Sequence, residues 1–267
     1  MHYEKELAVA LEAAGKAAAY LKKAYDEFVP IPNAPASIST EADRTSQELI
    51  LGHLITTFPD DAFCGEEGTA ALANVPRHGP RLWVVDPIDG TRGFVTKNGE
   101  FSIMIGLVVN DRVVVGVVHE PAFDRVTYAR FAHGCWVRTG SAMPVACHVT
   151  KTSTLTDATL VQSHAKKGDT PWPVTALKPR KVVETYSAGV KMAMVARGEV
   201  DLYVNTYANF SDWDICAGDV LVTEAGGSVS EIAGTPIKYG TAGYSQTGGL
   251  LATNGRIYEA AVAGLRR

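Results

Sequence analysis

The stretch Asp86-Pro87-Ile88-Asp89-Gly90-Thr91-Arg92-Gly93-Phe94 constrains the fold of this chain more than any other. It follows Leu82-Trp83-Val84-Val85, an apolar run that predicts a buried strand. The strand runs into an acid, and Pro87 has no N–H to give to a ladder, so pairing is expected to stop there. Asp89-Gly90 is turn chemistry, with Gly90 free to take a positive φ. Two carboxylates thus leave a rigid strand on one tight loop. Held together they repel, unless a cation lies between them. A divalent metal meets that need, and carboxylates with carbonyls suit Mg²⁺. A plain strand exit with solvated acids is the alternative, and this stretch alone leaves both open.

The rest of the chain supplies layers for such a strand to sit in. Residues 3–28 carry Leu7, Ala10, Leu11, Ala14, Ala18 and Leu21 at helical spacing, and Pro30 and Pro32 end the pattern. A second helix is predicted from near Thr40 to about Phe58, with Ser39 or Thr40 as its cap. Residues 69–80 read as a surface loop. Phe101–Val109 and Arg112–Glu120, split by Asn110-Asp111, predict a two-residue hairpin. Further short strands at 126–131 and 135–137 make residues 82–138 an antiparallel sheet, with the two helices free to cover one face. The second half alternates strands near 159–161, 200–204 and 250–252 with helices at 187–198, 215–225 and 256–265. Asn254 is the expected cap of the last helix. The division that follows is an N-terminal α+β half, 1–145, and a C-terminal α/β half, 146–267.

Charge and cysteine usage exclude several functions. A net charge of −4 gives no electrostatic case for nucleic-acid binding. No apolar run approaches membrane-spanning length, and the charged start Met1-His2-Tyr3-Glu4-Lys5 has no signal-peptide core. Cys64, Cys135, Cys147 and Cys216 show no CxxC spacing, and read as unclustered thiols they fit a reducing cytosol.

Three other acidic features recur along the chain. Gly65-Glu66-Glu67-Gly68 closes a short apolar step and can project a carboxylate onto a ligand, or can be a solvated loop. Asp43 lies in the first turn of the second helix, and Asp214 in the first turn of the helix opened by Ser211-Asp212-Trp213. Each suits the positive end of a helix, so taken singly each reads as a cap or dipole partner.

Taken together, GEEG, DPIDGT and WDICAGD…EAGG resemble the inositol monophosphatase superfamily of metal-dependent, often lithium-sensitive phosphatases. TEADRTSQELI and VVGVVHEP extend the resemblance over most of the chain. It implies a layered αβαβα sandwich and a cytoplasmic enzyme, possible as a homodimer, with two or three Mg²⁺ between its halves. Carried over residue by residue, it implies that Glu66, Asp86, Asp89, Asp214 and the carbonyl of Ile88 hold metal. Thr91 and Asp43 would orient and deprotonate the attacking water, with Glu67 as a neighbouring supporting acid. Gly90 and Thr91 would offer N–H groups to the phosphate.

Substrate choice is a finer question. NGEF at 98–101 and SAGVK at 187–191 look like the 3′(2′),5′-bisphosphate nucleotidase branch, whereas Gly93 departs from the glutamate many of its members carry. Inositol monophosphatases typically have a glutamate where this chain has Asn205. The expected reaction is therefore hydrolysis of adenosine 3′,5′-bisphosphate, with Arg92 and Lys191 as cations for the second phosphate. Inositol-1-phosphate and histidinol phosphate are the alternative substrates. A catalytically silent metal-binding scaffold is the alternative of another class.

Overall fold

The structure, a computed structural model, describes residues 2–35, 37–207 and 210–266. Helix α1 (Glu4–Glu27) buries Ala10, Ala13, Ala14, Ala17, Ala18 and Leu21, a stripe narrow enough for close approach to a sheet. Helix α2 (Glu41–Thr57) starts at Thr40, whose backbone N–H is met by the reaching-back carboxylate of Asp43. Strands β1 (Ala62–Gly65), β2 (Arg81–Asp89), β3 (Ser102–Val109), β4 (Arg112–Glu120), β5 (Arg125–Arg130), β6 (Cys135–Thr139) and β7 (Val145–Cys147) form one seven-stranded sheet in chain order. Residues 69–80 are not wholly loop: a one-turn helix, α3 (Ala70–Ala73), lies between β1 and β2. Asn110 and Asp111 both take positive φ, as a tight hairpin matched to strand twist requires.

The sheet reaches further than 82–138. β1 adds a parallel pair with β2, because the excursion through α3 returns the chain in the same direction. At the other end β7, only three residues long, adds an edge that its Val-Ala-Cys sequence does not announce. There Cys135 stands directly opposite Cys147, so these two thiols are neighbours. Sequence separation conceals cross-strand pairs, and the reading of four unclustered cysteines is corrected on that point.

Pairing does not stop at Pro87 either. β2 continues to Asp89, with Asp86 opposite Met104 and Asp89 opposite Ser102. Three steps along β2 thus match two along β3, so β2 carries one extra residue, a bulge that absorbs the donor-less Pro87. Side chains alternate faces along a strand, and residues three apart would ordinarily point opposite ways. The extra residue restores the parity, and Asp86 and Asp89 emerge on the same face. Beyond them Gly90 takes φ 83 and turns the chain into the short helix α4 (Thr91–Val95).

The second half contains β8 (Thr159–Gln162), α5 (Trp172–Leu177), β9 (Lys181–Glu184), α6 (Ala188–Ala196) and β10 (Leu202–Asn205). It continues with β11 (Phe210–Ser211), α7 (Asp212–Glu224), β12 (Ser228–Ser230), β13 (Ser245–Gln246), β14 (Leu250–Thr253) and α8 (Tyr258–Leu265). Five of these strands form a mixed sheet ordered β12-β14-β10-β8-β9. α5 and β9 were not expected from the sequence, and α8 begins two residues later than expected. Asn254 accepts from the N–H groups of Arg256 and Ile257, capping the turn that leads into α8 rather than the helix itself.

Helices α6 and α7 form the central layer between the two sheets. Their buried residues, among them Met192, Val195, Cys216, Val220 and Leu221, share one core with Val84 and Met104 of the first sheet and Tyr203 and Ala252 of the second. The closeness of α7 to the first sheet rests on paired glycines. Gly106 and Gly116 face each other on β3 and β4, and a Cβ on either would come within 2.5 Å of Cys216 Sγ or 2.3 Å of Ala217 O. α1 and α2 cover the outer face of the first sheet, and α5 and α8 that of the second. The order is α, β, α, β, α, the layered sandwich expected. Among the described residues no helix is long and apolar enough to cross a membrane.

Candidate active site

The shared face of Asp86 and Asp89 looks toward the first turn of α7. Oxygen atoms of Asp86, Asp89 and Asp214 all lie within 4.8 Å of one another. Each acid is held by a partner of its own. Asp86 Oδ1 accepts from Ile88 N at 3.1 Å. Asp214 Oδ2 accepts from Ser211 N at 2.6 Å, the reach-back of a capping box. Asp89 Oδ2 accepts from the Ser187 hydroxyl and from Gly189 N at 2.7 Å, both at the start of α6. Asp89 Oδ1 and Asp214 Oδ1 are thereby left for the cluster. The described ion pairs involve none of the three acids.

Burial raises all three carboxyls, and repulsion from neighbouring acids adds to the shift of Asp86 and Asp214. Asp86 goes well above the usual carboxylate range, through burial first and then through Glu66, Asp89 and Asp214. Asp214 is pushed up to about 7 by burial and by Asp89. Asp89 rises through burial, although its bond from Ser187 and the charge of Lys191 oppose the shift. Glu66, at the end of β1, is open to the solvent of the cavity, yet the surrounding walls, Asp214 and Asp43 still push its carboxyl upward.

Beside this cluster Thr91 Oγ1 donates to Asp43 Oδ1 at 2.9 Å and lies 3.0 Å from the carbonyl of Ile88. The second Asp43 oxygen accepts from Thr40 N at 2.8 Å and from Thr40 Oγ1 at 2.7 Å. Asp43 is 1% exposed, and burial raises its carboxyl. α2 also fixes the neighbouring loops. Ser46 Oγ donates to Pro87 O at 3.0 Å, and the Gln47 amide both donates to Glu67 O and accepts from Glu67 N. The Glu67 carboxylate turns to Ser39 Oγ at 2.6 Å and Arg44 Nε at 3.7 Å.

These groups border a cavity of about 470 Å³. It is lined by Glu66, Asp86, Ile88, Asp89, Gly90, Thr91, Arg92, Lys191 and Asp214 of the expected residues, but not by Asp43 or Glu67, which stand behind the wall. Asn205 and Tyr203 also line it. Lys191 is no solvated helix residue: it is 1% exposed. Its Nζ donates to Ser163 Oγ at 3.0 Å and Tyr186 O at 2.8 Å, leaving one of its three donors. Burial lowers its pKa to about 8, against the pull of Asp89 and Asp214. The Arg92 guanidinium stands 4.9 Å over the Tyr186 ring, with its buried Nε unpartnered. Tyr186 also borders an adjoining cavity of about 640 Å³ that includes His164 and Lys166. Ser163, Tyr186 and Tyr203 were missed in the sequence, and Ser187 was read only as part of SAGVK, with no role of its own. Only Ser187 left a signal, as the N-cap of α6. Ala208 and Asn209, between Asp201 and Asp214, lie outside the described residues.

Comparison with known proteins agrees with this geometry. A model of the inositol monophosphatase family matches residues 2–267. A fructose-1,6-bisphosphatase/inositol-1-monophosphatase of Thermotoga maritima is 34% identical over 74% of this chain and 72% of its own. A histidinol-phosphatase of Streptomyces coelicolor is 33% identical over 82% of this chain and 80% of its own. A 3′(2′),5′-bisphosphate nucleotidase of Salmonella typhimurium is 32% identical over 75% and 78%. Among solved structures, an inositol monophosphatase from Anabaena superposes with a TM-score of 0.81 at 29% identity, over 99% of this chain and 96% of that one. With the whole described length matched and the acid-lined cleft at the junction of the two sheets, this chain belongs to the inositol monophosphatase family and is a phosphoric monoester hydrolase.

Proposed function

We propose that the cleft hydrolyses a small phosphorylated metabolite with a water molecule activated at a cluster of two or three Mg²⁺ ions. The observation that carries this reading is the convergence of Asp86, Asp89 and Asp214 without a salt-bridge partner. The donor set fits the ion: Glu66, these three acids and the carbonyl of Ile88 are all oxygen donors, with no His or Cys among them. Mg²⁺ there would supply Lewis-acid charge to the phosphate and to the attacking water.

The chain's own residues do the rest. The Thr91 hydroxyl, donating to Asp43, keeps a lone pair for an O–H of the attacking water. As the water attacks, its proton passes to Thr91 Oγ1 while the Thr91 proton passes to Asp43 Oδ1. Burial has raised the Asp43 carboxyl, which makes it a better acceptor than a solvated carboxylate. Glu67, tied to Ser39 and to the amide of Gln47, is a positioning residue for the loop that carries Glu66. Gly90 and Thr91 offer backbone N–H groups to the phosphate, and Asp214 borders the leaving group.

For the substrate, adenosine 3′,5′-bisphosphate is preferred over an inositol monophosphate. Asn205 in the cavity wall removes the carboxylate expected to bind ring hydroxyls, and Arg92 and Lys191 add positive charge. Gly93 qualifies the comparison with nucleotidases: a Cβ there would lie 2.4 Å from the Glu100 carbonyl, so this turn cannot carry their glutamate. A phosphomonoester panel with and without Mg²⁺ tests both levels. Mg²⁺-dependent phosphate release is the expected result, and its absence on every ester overturns the mechanism. Higher kcat/KM on inositol-1-phosphate or histidinol phosphate than on the bisphosphate overturns the substrate preference alone.

A further inference from the structure

We propose that Cys135 and Cys147 are a reversible disulfide site, at which a small disulfide such as oxidised glutathione staples the outermost strand of the seven-stranded sheet to its neighbour. The two residues are direct partners in the antiparallel β6–β7 pair. Directly opposed residues in such a pair have Cα atoms about 4.5 or 5.5 Å apart, inside the roughly 4.4–6.8 Å span of disulfides. Their Cβ atoms, about 4.5–5.5 Å apart in a plain ladder, must close to about 3.5–4.5 Å. A three-residue edge strand with no neighbour on its far side among the described residues can make that adjustment.

The thiols already interact. The Cys135 thiol is held by Cys147, which pushes the Cys135 pKa up and the Cys147 pKa down, and Arg197 lowers both. Cys147, on the edge strand, is the thiol that an incoming disulfide meets first, and Cys135 on the inner strand is the resolving one. Both are free and buried in the structure. Access comes through β7, where Val145 and Ala146 are exposed and, among the described residues, no further strand covers the edge. The other two cysteines are not opposed on a ladder: Cys64 on β1 stands opposite Val84, and Cys216, although near Cys64, lies on α7 wedged against Gly106.

The chemistry balances in two exchanges. Cys147 thiolate attacks one sulfur of oxidised glutathione and expels a glutathione thiolate, which takes up a proton. Cys135 loses its proton, attacks the Cys147 sulfur of the mixed disulfide and expels the second glutathione. The protein is oxidised by two electrons, and one disulfide becomes two thiols. Cys147 is the last residue of β7, after which the chain crosses to the second sheet, so the staple fixes its point of departure. Neither thiol lines the acid-rich cavity.

The test uses the whole chain. After incubation with oxidised glutathione, denaturation and alkylation, two of the four cysteines are expected to be lost to the alkylating agent. A Cys135–Cys147 linked peptide should appear, dithiothreitol should restore both thiols, and phosphatase turnover should stay unchanged. A Cys135→Ser chain should stop at a glutathione adduct on Cys147. Four thiols still reactive after treatment, a link through Cys64 or Cys216, or a glutathione adduct that persists in the unsubstituted chain would each overturn the proposal.

Discussion

The Thr91–Asp43 pair gives the sharpest test of the proposed water activation. Consider Asp43→Asn. The Asp43 carboxylate spends one oxygen on Thr40 and the other on Thr91. An asparagine can keep its single carbonyl oxygen on Thr40, preserving the cap, and turn its amide N–H toward Thr91. The Thr91 hydroxyl, already 3.0 Å from the Ile88 carbonyl, then donates there and accepts from the amide. Every hydrogen bond survives, so the stability cost should stay near or below about 1 kcal/mol. The proton route does not survive, because the amide has no lone pair to receive it. Loss of a general base lowers the rate about 10²–10⁴-fold, or roughly 3–5 kcal/mol in the barrier. Thr91→Ala should cost a similar amount. Since the two act as one relay, the double variant should be no slower than the worse single one, with a coupling energy near the smaller single loss. The assay is kcat at saturating Mg²⁺ for the four chains, with thermal melts alongside. Additive losses, or an Asp43→Asn enzyme within tenfold of the unsubstituted one, would refute the relay.

Asp89→Asn and Asp214→Asn should each remove most turnover with melting little changed; near-normal rates at saturating Mg²⁺ would end the metal assignment. The raised carboxyls also make a statement about pH. Groups that bind protons more tightly folded than unfolded stabilise the metal-free chain at low pH, and that stability is lost as pH rises from about 4 through the folded value, about 7 for Asp214. Mg²⁺ replaces those protons, so the Tm gap with and without Mg²⁺ should widen from about pH 5 to about pH 8, and a constant gap would contradict the reading. Lys191→Ala should raise KM for adenosine 3′,5′-bisphosphate, by about 1–3 kcal/mol in apparent binding, while scarcely moving KM for a simple monophosphate. Equal increases on both substrates would show that its one uncommitted donor does not serve the second phosphate.

How far the site could be read in advance depended on whether a residue's two roles were separable along the chain. Asp43 and Asp214 each occupy the third position of a helix and each bonds back to the residue before it, so local pattern alone assigns them to capping. That assignment holds, and it concerns only one oxygen of each; the other oxygen of Asp43 meets Thr91, and Asp214 converges on Asp86 and Asp89, all far away in the chain. Lys191 shows the reverse. Its neighbours Ala188, Gly189 and Met192 are small or apolar, but nothing local reveals that Ser163 and the Tyr186 carbonyl wait to bind its ammonium. The helices and the longer strands were legible because helical and strand periodicities are local, whereas their stacking into five layers followed only from the family resemblance. The edge strands β7 and β9 were not legible: both are largely exposed, and they lack the apolar run that marked the equally short β8, β10 and β14.

The bulge in β2 has a consequence for how this enzyme can change. Substitutions within 86–89 alter a charge or a shape where it stands. A deletion of Pro87 would instead shift Asp89 by one place and turn it to the opposite side of the sheet, where Trp83, Val85, Ile103 and Ile105 pack beneath α1 and α2. One missing residue would then both empty a corner of the acidic cluster and force a carboxylate into hydrocarbon, a cost of several kcal/mol for an unpaired buried charge. The loop is therefore tolerant in identity at some positions and rigid in length at all of them. Variation that retunes substrate choice must enter elsewhere, through walls such as Asn205 and Arg92 that can vary without changing the count.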